Sequence, residues 1–239
     1  MKTKISILSA IYFAVTCIGF SSCSNIHEDL EKRIEELEKL HGVTENITPP
    51  TGTENGYDYV DLGLSVKWAT CNVGSSSPED YGDYFAWGCD STNINGFYSW
   101  ETYKWNVNGI IIKYDTIDNK TILDKEDDAA SKQMKGKWRM PTKTEIEELI
   151  NKCKWEWVTK TGVNGYKVIG NNGNSIFLPA AGYRRNENLY NAGSKGYYWS
   201  STIGSYYTSN ASYLFFNSAN AYLNGEDRAT GRTIRGVCK

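Results

Sequence analysis

Tyrosine and asparagine crowd the last quarter of the chain. Between Tyr183 and Asp227 stand eight tyrosines and seven asparagines. Phenol rings give wide, fairly rigid contact area, and carboxamides give adaptable hydrogen bonding, which is the chemistry of a recognition surface. Tyr197, Trp199, Tyr213 and Phe215 alternate as core residues do. Tyr190, Asn191, Tyr206, Tyr207, Asn210, Asn224 and Asp227 fall at expected turns and are the candidate ligand contacts. The competing reading is a wet antiparallel sheet whose tyrosines and asparagines fill a solvent face.

Histidine limits the catalytic options. The only two are His27 and His41, so none follows Gly42. A Ser-His-Asp or Cys-His centre cannot be built there, nor a His-ligated zinc site. Carboxylate-only chemistry, as in glycosidases, stays open. Glu126, Asp127 and Asp128 are adjacent oxygen donors and weak candidates for calcium, the one cofactor considered. Against that, Asp124 and Asp127 stand at N-cap and N3 spacing before Ala129-Ala130, which favours helix capping or an ion pair with a buried arginine. Besides Cys17 and Cys23, four cysteines remain: Cys71, Cys89, Cys153 and Cys238. An even number in an exported domain favours disulfides, with three possible connectivities.

The clearest element that could position these residues is Trp138-Arg139-Met140-Pro141-Thr142-Lys143-Thr144-Glu145-Ile146. Thr142 with Glu145 three residues on is the spacing of a capping box. Ile146, Leu149, Ile150 and Cys153 recur at helical spacing, so one face is expected to be buried. Ser77-Pro78-Glu79-Asp80 predicts a second short helix with Tyr81, Tyr84 and Phe85 on its apolar face, ended by Gly88. Asp124 to Ala130 predicts a further helix start. Short strands are expected at 58–62, 65–69, 110–114, 166–169, 175–178, 197–201, 212–216, 221–223 and 233–237. Asn108-Gly109 and Gly170–Asn174 are turns by composition. The expected fold class is α+β: two main helices among many short antiparallel strands.

The remainder of the chain reads as export machinery and tether. Residues 1–22 carry Lys2 and Lys4, then an apolar run from Ile5 to Phe20, as a signal peptide does. The small residues before Cys23 resemble a lipobox, which makes Cys23 the expected lipidation site and membrane anchor. The acidic pair Glu28-Asp29 resembles a surface-export signal, so an outer-membrane lipoprotein facing outward is expected. Residues 23–41 predict a short helical stalk. Leu30, Ile34, Leu37 and His41 fit about two heptads, through which residues 26–41 could form a homo-oligomer. Residues 42–56, with Pro49 and Pro50, are an expected linker, and the domain is placed at 57–239. Net charge is −2, and there is no basic run, which argues against nucleic acid as a partner.

Several ordered motifs carry a resemblance over roughly residues 57–239. They are Val60 to Gly74 (VDLGLSVKWATCNVG), Tyr81 to Gly88 (YGDYFAWG), Glu126 to Ala130 (EDDAA), Trp138 to Thr142 (WRMPT), Phe177 to Arg184 (FLPAAGYR) and Tyr197 to Thr202 (YYWSST). Together they resemble the Fibrobacter succinogenes major paralogous domain, and more distantly the sulfatase-modifying-factor, or formylglycine-generating enzyme, family. The resemblance implies a C-type-lectin-like fold, a recognition face in the late loops, and disulfides Cys71–Cys153 and Cys89–Cys238. It does not carry the oxidase activity, because the reactive cysteine pair near the C-terminus has only Cys238 here. The calcium-sugar triplets of true C-type lectins are also absent. The late region further resembles the variable region of diversity-generating retroelement targets. The expected function is non-catalytic binding of an extracellular protein or glycan. An adhesive coat component without a discrete ligand is the alternative, and a carboxylate glycosidase the remotest.

Overall fold

The computed structural model describes residues 48–204 and 207–239. The signal peptide, Cys23, the stalk and its coiled-coil heptads lie outside the described residues. Of the described chain, 42% is strand and 10% helical, arranged as five small antiparallel sheets and two short helices. This overturns the expected α+β class of a C-type-lectin-like domain with two main helices. The domain is mostly β.

The second expected helix explains the difference. After Pro78 the chain turns through Asp80 N–H to the Ser77 carbonyl and does not continue as a helix. Gly82 has φ +70°, and a Cβ there would meet the Val73 carbonyl oxygen at 2.5 Å. Beyond it, Tyr84 and Ala86 pack in one apolar cluster while Phe85 and Trp87 pack in another. Side chains that alternate between two cores have the period of an extended chain. The spacing of Tyr81, Tyr84 and Phe85 is helical only by coincidence.

Strands β1 (Gly52–Glu54), β2 (Tyr57–Val60) and β3 (Lys67–Asn72) form a meander. β1 lies in the expected linker, and Thr48 also bonds Ser175 Oγ through its backbone N–H, so the body of the domain starts before Tyr57. Hairpin β4 (Asn106–Val107) and β5 (Ile110–Ile111) turns at Asn108-Gly109, both at positive φ as the dipeptide predicts. Helix α1 (Ala129–Met134) is capped by Asp128, four residues beyond the expected Asp124. Helix α2 (Lys143–Lys152) has the capping box of Thr142 and Glu145, and Ile146 and Leu149 are buried. Arg139 grips the same Glu145 carboxylate with two bonds of 2.7 and 2.5 Å.

A sheet of β6 (Lys154–Lys160), β7 (Val163–Ile169) and β8 (Ser175–Pro179) follows, then hairpin β9 (Tyr183–Arg185) and β10 (Asn188–Tyr190). The last sheet is β11 (Lys195–Ile203), β12 (Asn210–Asn217) and β13 (Ala221–Asp227). Both faces of β11 and β12 are covered. Tyr197, Trp199, Tyr213 and Phe215 enter one core cluster, and Tyr198, Leu214 and Phe216 enter the other with α2.

The closing strand β14 (Arg235–Cys238) pairs with β3, and the run leading into it is the spine of the domain. Every residue from Arg228 to Cys238 is buried. Its backbone bonds Val73, Phe85, Trp87, Arg139, Arg184, Trp199 and Ser209. Three of its side chains are arginines. Arg235 gives bonds of 2.8 to 3.1 Å to Asn72 Oδ1 and to the carbonyls of Ala69, Thr70 and Phe177. Arg228 bonds the Tyr114 and Lys113 carbonyls. Arg232 lies 3.6 Å from the Tyr213 ring centroid and 4.4 Å from that of Trp199, where ring faces offset part of its lost hydration. Removing such a side chain strands its acceptors in the core. Arg235→Met is expected to destabilise by roughly 3–5 kcal/mol, against about 1 kcal/mol for loss of the helix cap in Thr142→Ala. Urea denaturation followed by tryptophan fluorescence measures both.

Candidate functional site

The end of the last sheet opens into a cleft of about 320 Å³ between the first turn of α2 and β12–β13. Lys143, Tyr207, Asn210, Ser212, Asn224 and Gly225 line it, with the adjoining Gly204 and Leu223. Local bonds set these residues. Gly204 N–H reaches the Asn210 carbonyl at 2.8 Å and Asn210 N–H the Tyr207 carbonyl at 3.0 Å, which closes the connection into β12. A Cβ on Gly204 would stand 2.9 Å from Asn210 atoms, so glycine is required there. Ser212 and Gly225 are directly paired across β12–β13. Packing of α2 on β13 brings Lys143 to the rim.

Three of the seven predicted contacts therefore converge: Tyr207, Asn210 and Asn224. Tyr207 is 69% exposed, a ring held on the surface. Asn224 Oδ1 accepts the Gly225 N–H at 2.8 Å. A backbone N–H can bond only the oxygen, so the nitrogen of this exposed carboxamide remains as a donor.

The other predicted contacts lie elsewhere. Tyr190 stacks on Tyr183 at 5.4 Å, and Asn191 donates to the Tyr197 hydroxyl at 3.0 Å. Ring contacts continue from Tyr197 to Phe215 and on to Tyr222, so the β9–β10 hairpin is tied to the sheet by aromatic packing. Asp227 is the strand partner of Asn210, yet its carboxylate accepts the Ala229 N–H at 2.9 Å and pairs with Arg185 at 3.5 Å. Tyr206 lies outside the described residues. Lys143 and Gly225 were missed. A glycine inside a strand was the available signal for the second, but the strand was expected to stop at Leu223.

The acidic triplet serves the fold. Asp127 is buried and accepts from Lys113 at 2.5 Å, Tyr114 at 2.6 Å and Lys104 at 3.2 Å. Asp128 caps α1 through the Ser131 N–H and also accepts the Met140 N–H. Glu126 is exposed. Capping falls to Asp128 in place of the expected Asp124 and Asp127, and Asp127 pairs with lysines where a buried arginine was expected. Among the described residues no group of three or more His, Cys, Asp or Glu could share a metal ion.

The four cysteines are free thiols, so the two implied disulfides are not formed. Cys89 packs with Tyr84, Ala86, Tyr98 and Tyr103, whereas Cys238 belongs to a different cluster beside Trp138. Burial pushes the Cys89 and Cys153 thiols up to about 11, which keeps them protonated and poorly nucleophilic at neutral pH. Two of the carboxylates on α2 are engaged too: Glu145 is held by Arg139 and Glu148 by Lys152 and Ser65, while exposed Glu147 lies 3.9 Å from Lys143 in a weak pair.

A family described as a domain of unknown function, DUF8237, matches residues 148–237. The match takes in Asn210, Asn224 and Gly225 and stops short of Lys143. No curated protein and no solved structure matches the chain.

The Asp127 network has a pH signature. Burial opposes ionisation of Asp127, but the bonds from Lys113, Tyr114 and Lys104 outweigh it and hold its carboxyl below the usual 3.8. A carboxyl depressed on folding contributes stability that is present above its unfolded value and lost as pH falls through its folded one. Stability is thus expected to decline below about pH 4, and Asp127→Asn is expected to make that decline shallower while lowering stability at pH 7. Thermal melts from pH 7 to pH 2.5 read both effects.

Proposed function

We propose that the chain is a bacterial outer-membrane lipoprotein, anchored through Cys23 and exposed at the cell surface, whose domain binds an extracellular protein or glycan without catalysis. The observation that carries this reading is the convergence of Tyr207, Asn210 and Asn224 on one cleft. An exposed phenol ring and two carboxamides form a contact surface with no nucleophile or base among them. The absence of histidine after His41, the protonated thiols and the engaged carboxylates all favour binding over turnover. The ordered motifs from Val60 to Thr202 support kinship with the Fibrobacter succinogenes major paralogous domain.

Glycan and protein arrays probed with the full chain test this. Tyr207→Ala and Asn210→Ala are each expected to weaken the recognised ligand on the order of tenfold, about 1.4 kcal/mol. Retained binding in both variants would remove the cleft from the function. A chain that binds nothing on either array favours the adhesive alternative. For the anchor, Cys23→Ala is expected to move the protein from the membrane fraction to the soluble one, and an unchanged distribution would contradict lipidation.

A further inference from the structure

Gly225 is the informative residue of the cleft. Glycine inside a strand weakens it, and its usual reasons are a bulge, a positive φ or a close approach of another group. The β12–β13 register runs without interruption from Asn210↔Asp227 to Phe216↔Ala221, so there is no bulge. Gly225 is not among the positive-φ glycines. A Cβ built there meets only the Ala211 carbonyl oxygen, at 4.0 Å. Neither backbone conformation nor packing requires glycine at this position, and the bare backbone leaves room for a group to approach closely from outside.

The surrounding groups specify what could approach. Lys143 stands in the first turn of α2, where the helix dipole disfavours a cation. Its nearest acid, Glu147, is 3.9 Å away and both side chains are well exposed, so the pair is weak. The Asn224 side chain is exposed, and with its oxygen taken its nitrogen is the group free to donate. The cleft therefore presents hydrogen-bond donors and a poorly compensated positive charge beside an exposed phenol face. Of the nearby acids, Asp227 is paired with Arg185, and Glu226 lies by register on the strand face opposite Gly225, the face it shares with Asn224. About 320 Å³ accommodates one or two sugar rings but not a folded protein element.

We infer that this cleft binds an acidic saccharide, a sugar carrying a carboxylate or sulfate, seated over Gly225 with its charge on Lys143. The inference rests on the binding function proposed above and names its ligand class. Tyr207 covers the apolar face of a ring, and the Asn224 carboxamide donates to its oxygens.

Titration calorimetry with the full chain tests it, using an oligogalacturonate, a heparin-derived oligosaccharide and maltohexaose of comparable length. At least one acidic probe is expected to bind tenfold or more tightly than maltohexaose; binding of the oligogalacturonate shows that a carboxylate suffices, and binding of the heparin oligosaccharide, which carries both groups, without the oligogalacturonate points to sulfate. Lys143→Gln is expected to abolish that preference. Gly225→Val adds a strand-favouring side chain into open space, so the melting temperature should hold while acidic-probe binding falls at least tenfold. Equal binding of maltohexaose, or wild-type affinity in Gly225→Val, overturns the inference. If no saccharide binds but an array protein does, and Tyr207→Ala loses it, the acidic-sugar inference falls while the binding function stands.

Discussion

Charged side chains in the middle of a protein need acceptors, and in the segment from Arg228 to Cys238 both Arg228 and Arg235 reach them in strands and loops distant in sequence. Arg235 alone joins β3 to β8 through Ala69, Thr70 and Phe177. The peptide groups of the same segment bond residues as far apart as Val73 and Ser209. None of the five sheets is large, and a sheet of two or three short strands is marginal by itself. They hold together because one buried run of chain touches most of them. The bond from Arg228 N–H to the Ser209 carbonyl extends this support to the loop that carries Tyr207 and Asn210.

What could be read in advance depended on range. The capping box of Thr142 and Glu145 and the apolar stripe of α2 are set by residues three or four apart, and both stand in the structure. The Asn108-Gly109 turn is local for the same reason. The alternation of Tyr197, Trp199, Tyr213 and Phe215 was legible because burial imposes period two on a strand. The segment from Ser77 to Gly88 misled, because four aromatic residues fit both periods until the two clusters are known. The spine was hardest to see. Three arginines in eight residues suggest a solvated edge; remote carbonyls make burial of Arg228 and Arg235 tolerable, and ring faces with Thr230 Oγ1 that of Arg232.

The candidate site divided along the same line. Residues chosen for being tyrosine or asparagine at turns did converge in part, because Tyr207, Asn210 and Asn224 flank one strand pair. Tyr190 and Asn191 were drawn into aromatic packing with Tyr183 and Tyr197, a fate that composition cannot distinguish from ligand contact. Lys143 reached the cleft from a different element altogether. The result is a rigid, arginine-braced body with an open, donor-rich notch at one end of its last sheet.

Native-state hydrogen exchange on the full chain tests the bracing directly. The amides of residues 228–238 should exchange only with global unfolding and be the slowest in the domain, while those around Tyr207 exchange early. Exchange in 228–238 as fast as in the exposed loops would show that the sheets stand without this segment and would contradict its organising role.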